Sequence, residues 1–312
     1  MWRIATPVTV PASFRLLPMD WITASLLSAA FLGAYELFTK HAVTRNAVLP
    51  VLFLSTVCNA LIWLALLRAD TNLPLALQVP DLGWRDHLLL LLKSTIVAVS
   101  WTCTYFAVKH LPVSLASPIR ATGPLWTLAG ALLFLGERLS LLETLGVLIT
   151  LVSFFALSWA GRDEGVHFHR NRWVLWAVIG TLFNGISALY DKVLLGPGGY
   201  NAATVQCWFS IYLALLFLPL VIGWRLNWWP RQPFTWRWSI PLIALSLLVA
   251  DFIYFDALRD PEALIAVVSS FRRGSTLVAF LGAVLVFREK NILRKLPAVL
   301  GILGGIVLTV LG

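Results

Sequence analysis

The chain has 312 residues, 59% of them hydrophobic and only 12% charged, with a formal net charge of +9. A water-soluble domain carries about twice that charged fraction, so the composition excludes an ordinary soluble globular protein. The basic excess does not imply nucleic acid either. Most Lys and Arg sit in short connections between apolar blocks, where they fix topology and meet anionic lipid headgroups.

The apolar blocks run to about 20 residues, the length of a helix that crosses a bilayer. Residues 1–19 contain two arginines and three prolines and lack a sustained apolar run or a small-residue cleavage site. They read as a tail or interfacial segment, not a signal peptide. Ten spans are expected. The first five are Trp21–Thr39, Leu49–Leu67, Leu88–Val108, Pro112–Leu135 and Leu141–Ala160. The polar link GRDEGVHFHRNR marks the midpoint. The second five are Trp173–Leu194, Ala202–Trp224, Ser239–Leu258, Pro261–Phe287 and Leu296–Leu311. The domain boundaries that follow are 1–19 for the tail, 20–161 for a first five-helix half, 162–171 for the link and 172–312 for a second half.

The halves repeat each other. Arg120, Gly130 and Glu137 are matched by Arg272, Gly282 and Glu289, each 152 positions on. GAYELFTK (Gly33 to Lys40) is echoed by GISALYDK (Gly185 to Lys192) at the same spacing. Tyr105-Phe106 and Pro112 are echoed by Tyr254-Phe255 and Pro261 at 149. Five spans is an odd number, so the second copy crosses in the opposite sense. An inverted repeat of this kind is the signature of many secondary transporters, whose site lies near the midplane. The expected fold is therefore an all-α integral membrane protein of ten transmembrane helices in two inverted five-helix repeats. Trp84, Trp159, Trp173, Trp228, Trp229, Trp236 and Trp238 fall at span ends, as an interfacial aromatic belt requires. Orientation is less consistent. The odd-numbered connections carry 13 Lys/Arg against 6 in the tails and even connections, which would put both termini outside.

Charged groups inside spans are costly and usually functional. Arg120 lies eight residues past Pro112 and Arg272 eleven past Pro261, about 12 Å and about 16 Å along their helices. Each needs an anionic solute, a carboxylate partner or helix-end carbonyls, and substrate contact and internal gating both stay open. Arginine suits bidentate capture of carboxylate or phosphate. Ser269, Arg272 or Arg273, and Thr276 make a polar stripe at helical spacing. Ser117, Arg120 and Thr127 do the same around Gly123-Pro124. Trp101, Tyr105, Trp126 and Tyr254 are candidate aromatic walls. Asn184, Ser187 and Asp191 share one face of the sixth span. Asp251 and Glu36 are candidate proton- or ion-coupling groups, Asp251 alternatively the ion partner of Arg272 or Arg273, and Glu36 alternatively a pair with Lys40. Lys93 reads as a side chain that snorkels toward the interface. Glu137 and Glu289 read as interfacial hinges or pairs.

Nothing forms a catalytic centre: GxSxG, HExxH and P-loop motifs are missing, so an enzyme is not expected. Cys58, Cys103 and Cys207 all fall in spans without a CxxC pair. His167 and His169 sit in the polar link and read as solvated. No metal site and no cofactor are expected.

The run SPIRATGPLWTLAGALLFLGERLS, followed by LLETLGVLITLVSFFAL, and its looser second copy resemble the EamA-type members of the drug/metabolite transporter superfamily. The resemblance implies a ten-helix bundle with a central cavity, alternating access, and export of amino acids or related metabolites. It also implies cytoplasmic termini, against the charge count. The expected function is a secondary active transporter of a small polar or amphipathic, anion-bearing solute, with export the expected direction. A flippase or scramblase of a lipid or lipid-linked intermediate, or a non-transporting membrane subunit, is the alternative. The partners expected are a small-molecule substrate and membrane lipid, with no nucleic acid and a homodimer left open. The expected location is the plasma membrane, the inner membrane if the source is bacterial.

Overall fold

A computed structural model describes residues 19–69, 74–110, 119–120, 122–159, 172–228, 232–275, 278 and 292–311. Helices and turns make up the described residues, with no strand among them. The helices are α1 (Trp21–Val43), α2 (Val48–Arg68), α3 (Trp84–His110), α4 (Gly123–Gly130) and α5 (Leu141–Trp159). They continue with α6 (Arg172–Leu195), α7 (Ala202–Arg225), α8 (Ser239–Leu258), α9 (Ile265–Arg272) and α10 (Ile292–Leu311). Six of them, α1, α2, α3, α6, α7 and α8, are long and apolar enough to cross a membrane. Shorter apolar stretches cover Gly123–Leu135, Leu141–Ser153 and Leu300–Thr309. The central polar link, most of the tail and the later part of the expected ninth span lie outside the described residues. So do Ser117, Thr276, Glu289, His167 and His169.

Local chemistry sets several helix ends. Before α1, the Asp20 carboxylate accepts from the Thr23 hydroxyl (2.6 Å) and the Thr23 backbone N–H (3.0 Å). Those bonds hold its carboxyl below the ordinary value. α5 opens on a capping box: the Ser140 N–H donates to Glu143 (2.6 Å) and the Glu143 N–H to the Ser140 hydroxyl (3.1 Å). Asn201 caps α7 by accepting from the Thr204 N–H at 2.7 Å.

The chain forms two compact units, one from Met1–Ala98 and Tyr190–Ala263, the other from Val99–Leu189 and Leu264–Gly312. In the first unit, α1 packs along α8, with Ala24 against Ile253 and Ala257. The Ser28 hydroxyl donates to the Ala250 carbonyl at 2.7 Å. α2 packs on α7 and α8 around the buried Trp63, Ala203 and Cys207. Asn46, between α1 and α2, is fully engaged. Its amide donates to the carbonyls of Ala42 (3.0 Å) and Thr235 (2.8 Å), and its oxygen accepts from the N–H groups of Ala47 and Thr235, both at 2.9 Å. The Lys192 ammonium donates to three carbonyls at and past the end of α8, those of Leu258 (3.4 Å), Asp260 (3.1 Å) and Ala263 (2.5 Å). Carbonyls at a helix end need such donors. Tyr200, in the turn before α7, donates to the Asp86 carboxylate at 2.5 Å. Burial, and then Asp86, pushes its phenol above the ordinary range.

In the second unit, α5 and α10 meet through small residues. Both carry a Gly-x-x-x-Thr step: Gly146 with Thr150, and Gly305 with Thr309. Each threonine hydroxyl donates to its own glycine carbonyl at 2.8 Å. A Cβ at Gly146 would lie 2.2 Å from Thr309 Oγ1, and one at Gly305 would lie 2.2 Å from Thr150 Oγ1. Small residues are what let membrane helices approach this closely. Gly304, one position away, faces open space. Gly305→Leu should therefore overpack the contact and cost about 1–3 kcal/mol. Gly304→Leu should leave stability unchanged. Melting curves of the detergent-purified variants, followed by size-exclusion fluorescence, check the pair.

Candidate functional site

The candidate residues of the second unit gather where α4, α6 and α9 meet. Gly123 opens α4, followed by Pro124 in the first turn, where a missing N–H costs nothing. The Arg273 guanidinium lies against this helix start. A Cβ at Gly123 would sit 2.6 Å from its Nη2, so the glycine makes room for the guanidinium in this position. The same Nη2 donates to the Asn184 side-chain oxygen of α6 at 3.2 Å. A second close approach lies one turn on, where a Cβ at Gly185 would be 3.0 Å from Trp126 Cβ. The N-terminal end of a helix carries positive partial charge. A guanidinium placed there adds to it, and the combined field favours an anion.

The other expected residues of this unit are placed as follows. Arg120 is exposed, in a short helical stretch with the buried Ile119. Trp126 is 42% exposed, and its indole N–H donates to Thr122 Oγ1 at 3.2 Å. Ser269 and Arg272 are half-buried on α9, and Trp101 and Tyr105 half-buried on α3. In the first unit, Asp251 and Tyr254 are buried on α8, and Glu36 is half-buried on α1.

Two residues do more than their sequence reading expects. Past Gly130 the chain makes one π turn, Ala131–Leu135, and Gly136 closes it with φ +66°. That left-handed step, cheap only for glycine, turns the chain so that Glu137 meets the start of α9. Its carboxylate accepts from the N–H groups of Ile265 (2.8 Å) and Ala266 (3.4 Å). Glu137 is thus a helix cap supplied from a distant part of the chain. Lys93 does not snorkel. It is 1% exposed on α3 and donates to Asp191 of α6, itself 4% exposed. Nothing local in the sequence signals this pair, since its members are 98 positions apart. The only hint is that both are charges inside spans. Among the described residues, no group of three or more His, Cys, Asp or Glu is arranged to hold a metal ion.

Long apolar helices enclosing a paired charge define an integral, multi-pass membrane protein. Residues 19–159 match the model of the EamA-like transporter family. That stretch, which runs through α5, is therefore similar to the EamA-like transporters. The fold is similar to that of a protein solved by crystallography, with a TM-score of 0.70 at 14% identity, covering 93% of this chain and 95% of that one. At that identity the likeness concerns the fold alone. No curated protein sequence matches the chain.

Glu137→Ala should remove both a cap and a charge suited to the helix dipole, at a cost of about 1–2 kcal/mol. Glu137→Gln should recover part of it, and Arg138→Ala, at an exposed neighbour, should stay within about 0.5 kcal/mol of wild type. Thermal melts in one detergent compare the three.

Proposed function

We propose that the protein is a secondary active transporter that exports a small polar or amphipathic metabolite bearing a carboxylate or phosphate. The two five-helix halves, 20–161 and 172–312, act as inverted repeats, ten helices around a central cavity, and alternating access comes from rocking one half against the other. The reading is carried by one observation: the Arg273 guanidinium set against the start of α4 and bonded to Asn184. Arginine in lipid is retained at a cost and is usually functional, and a guanidinium suits capture of an anionic group. Arg120 and Arg272 complete the basic set, Trp101, Tyr105, Trp126 and Tyr254 supply aromatic surface, and Ser269 and Thr276 polar contacts. Asp251 or Glu36 couples the movement to a proton or another ion. Membrane lipid surrounds the protein, and a homodimer remains compatible with this reading.

Proteoliposomes loaded with a mixture of amino acids and related acids test it. Efflux should be selective for anion-bearing solutes. Arg120→Ala, Arg272→Ala and Arg273→Ala should each lower it about 10- to 100-fold, the range expected for loss of a charged hydrogen bond. If the arginine variants fold and carry solute at the wild-type rate, the anion role is wrong.

A further inference from the structure

The first unit holds a buried charge cluster that the anion contact does not use. The Lys93 ammonium of α3 is bonded to the Asp191 carboxylate of α6. It also lies over the rings of Phe209 on α7 and Phe255 on α8, 4.8 and 4.9 Å from their centroids. Side chains from three other helices therefore converge on this one ammonium group. The neighbouring polar groups are occupied elsewhere. The Tyr190 hydroxyl donates to the Leu89 carbonyl at 3.3 Å, and Lys192 serves the carbonyls at and past the end of α8.

A buried ion pair is a poor stabiliser. Desolvation offsets most of the attraction, and apolar residues of equal volume often do as well or better. In lipid the cost of forming it makes a purely structural role a weak explanation. The surroundings also go beyond what a salt bridge needs. A carboxylate combined with two aromatic faces is the chemistry that recognises organic ammonium ions.

We propose that Asp191, Phe209 and Phe255 form a binding site for an organic ammonium group, with Lys93 as its tethered resident. The amino group of an incoming solute displaces the lysine, whose four-carbon stem lets it withdraw, and the lysine returns when the solute leaves. No bond is made or broken. One ammonium replaces another at the same carboxylate. The proposal rests on the transporter reading and narrows the solute to one that carries an amine.

The test uses the purified full chain in detergent and n-butylammonium as probe, with sodium at equal ionic strength as control. The melting temperature of wild type should rise saturably with butylammonium and not with sodium. In Lys93→Ala the same rise should come at about tenfold lower concentration, because a resident filling the site about nine-tenths of the time weakens apparent affinity by that factor. Asp191→Asn should abolish the response. Absence of a saturable rise in Lys93→Ala overturns the proposal. So does a rise confined to that variant, which would mean a fixed salt bridge whose vacated space is merely refilled. If Lys93→Ala does not fold, wild type is compared with the uncharged double variant K93M/D191N. Loss of the wild-type rise in the double variant supports the site, and its persistence overturns it. The melts do not depend on flux, so a failure of the transporter reading shows only in the liposomes and is distinguishable from a failure here.

Discussion

Hydrocarbon offers no partner to a polar group, and this one constraint organises the protein. Every buried charge and every open helix end must be matched from within the chain. The cost of not doing so is several kcal/mol per group. The structure meets it with long side chains that reach between elements. Lys192 of α6 supplies the missing donors at and past the end of α8, and Glu137 supplies the acceptor for the first N–H groups of α9. Asn46 spends all four of its hydrogen-bonding capacities on backbone. Lys93 and Asp191 match each other.

The same constraint explains why glycine appears where it does. A helix packed in lipid gains little from burying leucine, because the lipid is equally apolar. Close approach of backbones and small polar groups takes over. Gly146 and Gly305 serve this purpose between α5 and α10, and Gly123 makes room for an arginine. Gly136 has a different task. It supplies the backbone turn that aims Glu137.

Hydropathy made the long helices legible. The expected first, second, third, sixth, seventh and eighth spans correspond to the six helices long enough to cross a membrane. Their ends were less legible, for a physical reason. α3 starts at Trp84, four residues before the apolar run, because its polar first turn has partners. Asp86 is bonded by Tyr200, and His87 Nδ1 lies 2.8 Å from the Tyr212 hydroxyl. α1 runs to Val43, past the expected Thr39, and His41 Nδ1 lies 3.0 Å from the Ser239 hydroxyl. α9 begins later than expected, at Ile265, because Asp260 folds the residues after it into turns: its side chain accepts from the Glu262 N–H and its carbonyl from the Ala263 N–H. The Gly-Glu step was visible as a repeated motif, but its target was not, since a cap on a helix 128 positions away leaves no local pattern. The pairing of Lys93 with Asp191 was hidden for the same reason. Arg273 and Asn184 were both legible as polar positions, and only the fold shows that they touch.

The Lys93–Asp191 pair also bears on how this sequence can change over generations. A lone mutation at either position takes the ion-pair partner from the other buried charge, a loss of about 3–5 kcal/mol, comparable to much of a domain's net stability. Replacing both at once by apolar residues carries no such penalty. Intermediate genotypes are therefore selected against, and descendants should keep both charges or neither. A relative that retained the lysine and lost the aspartate would have had to move the negative charge to another helix.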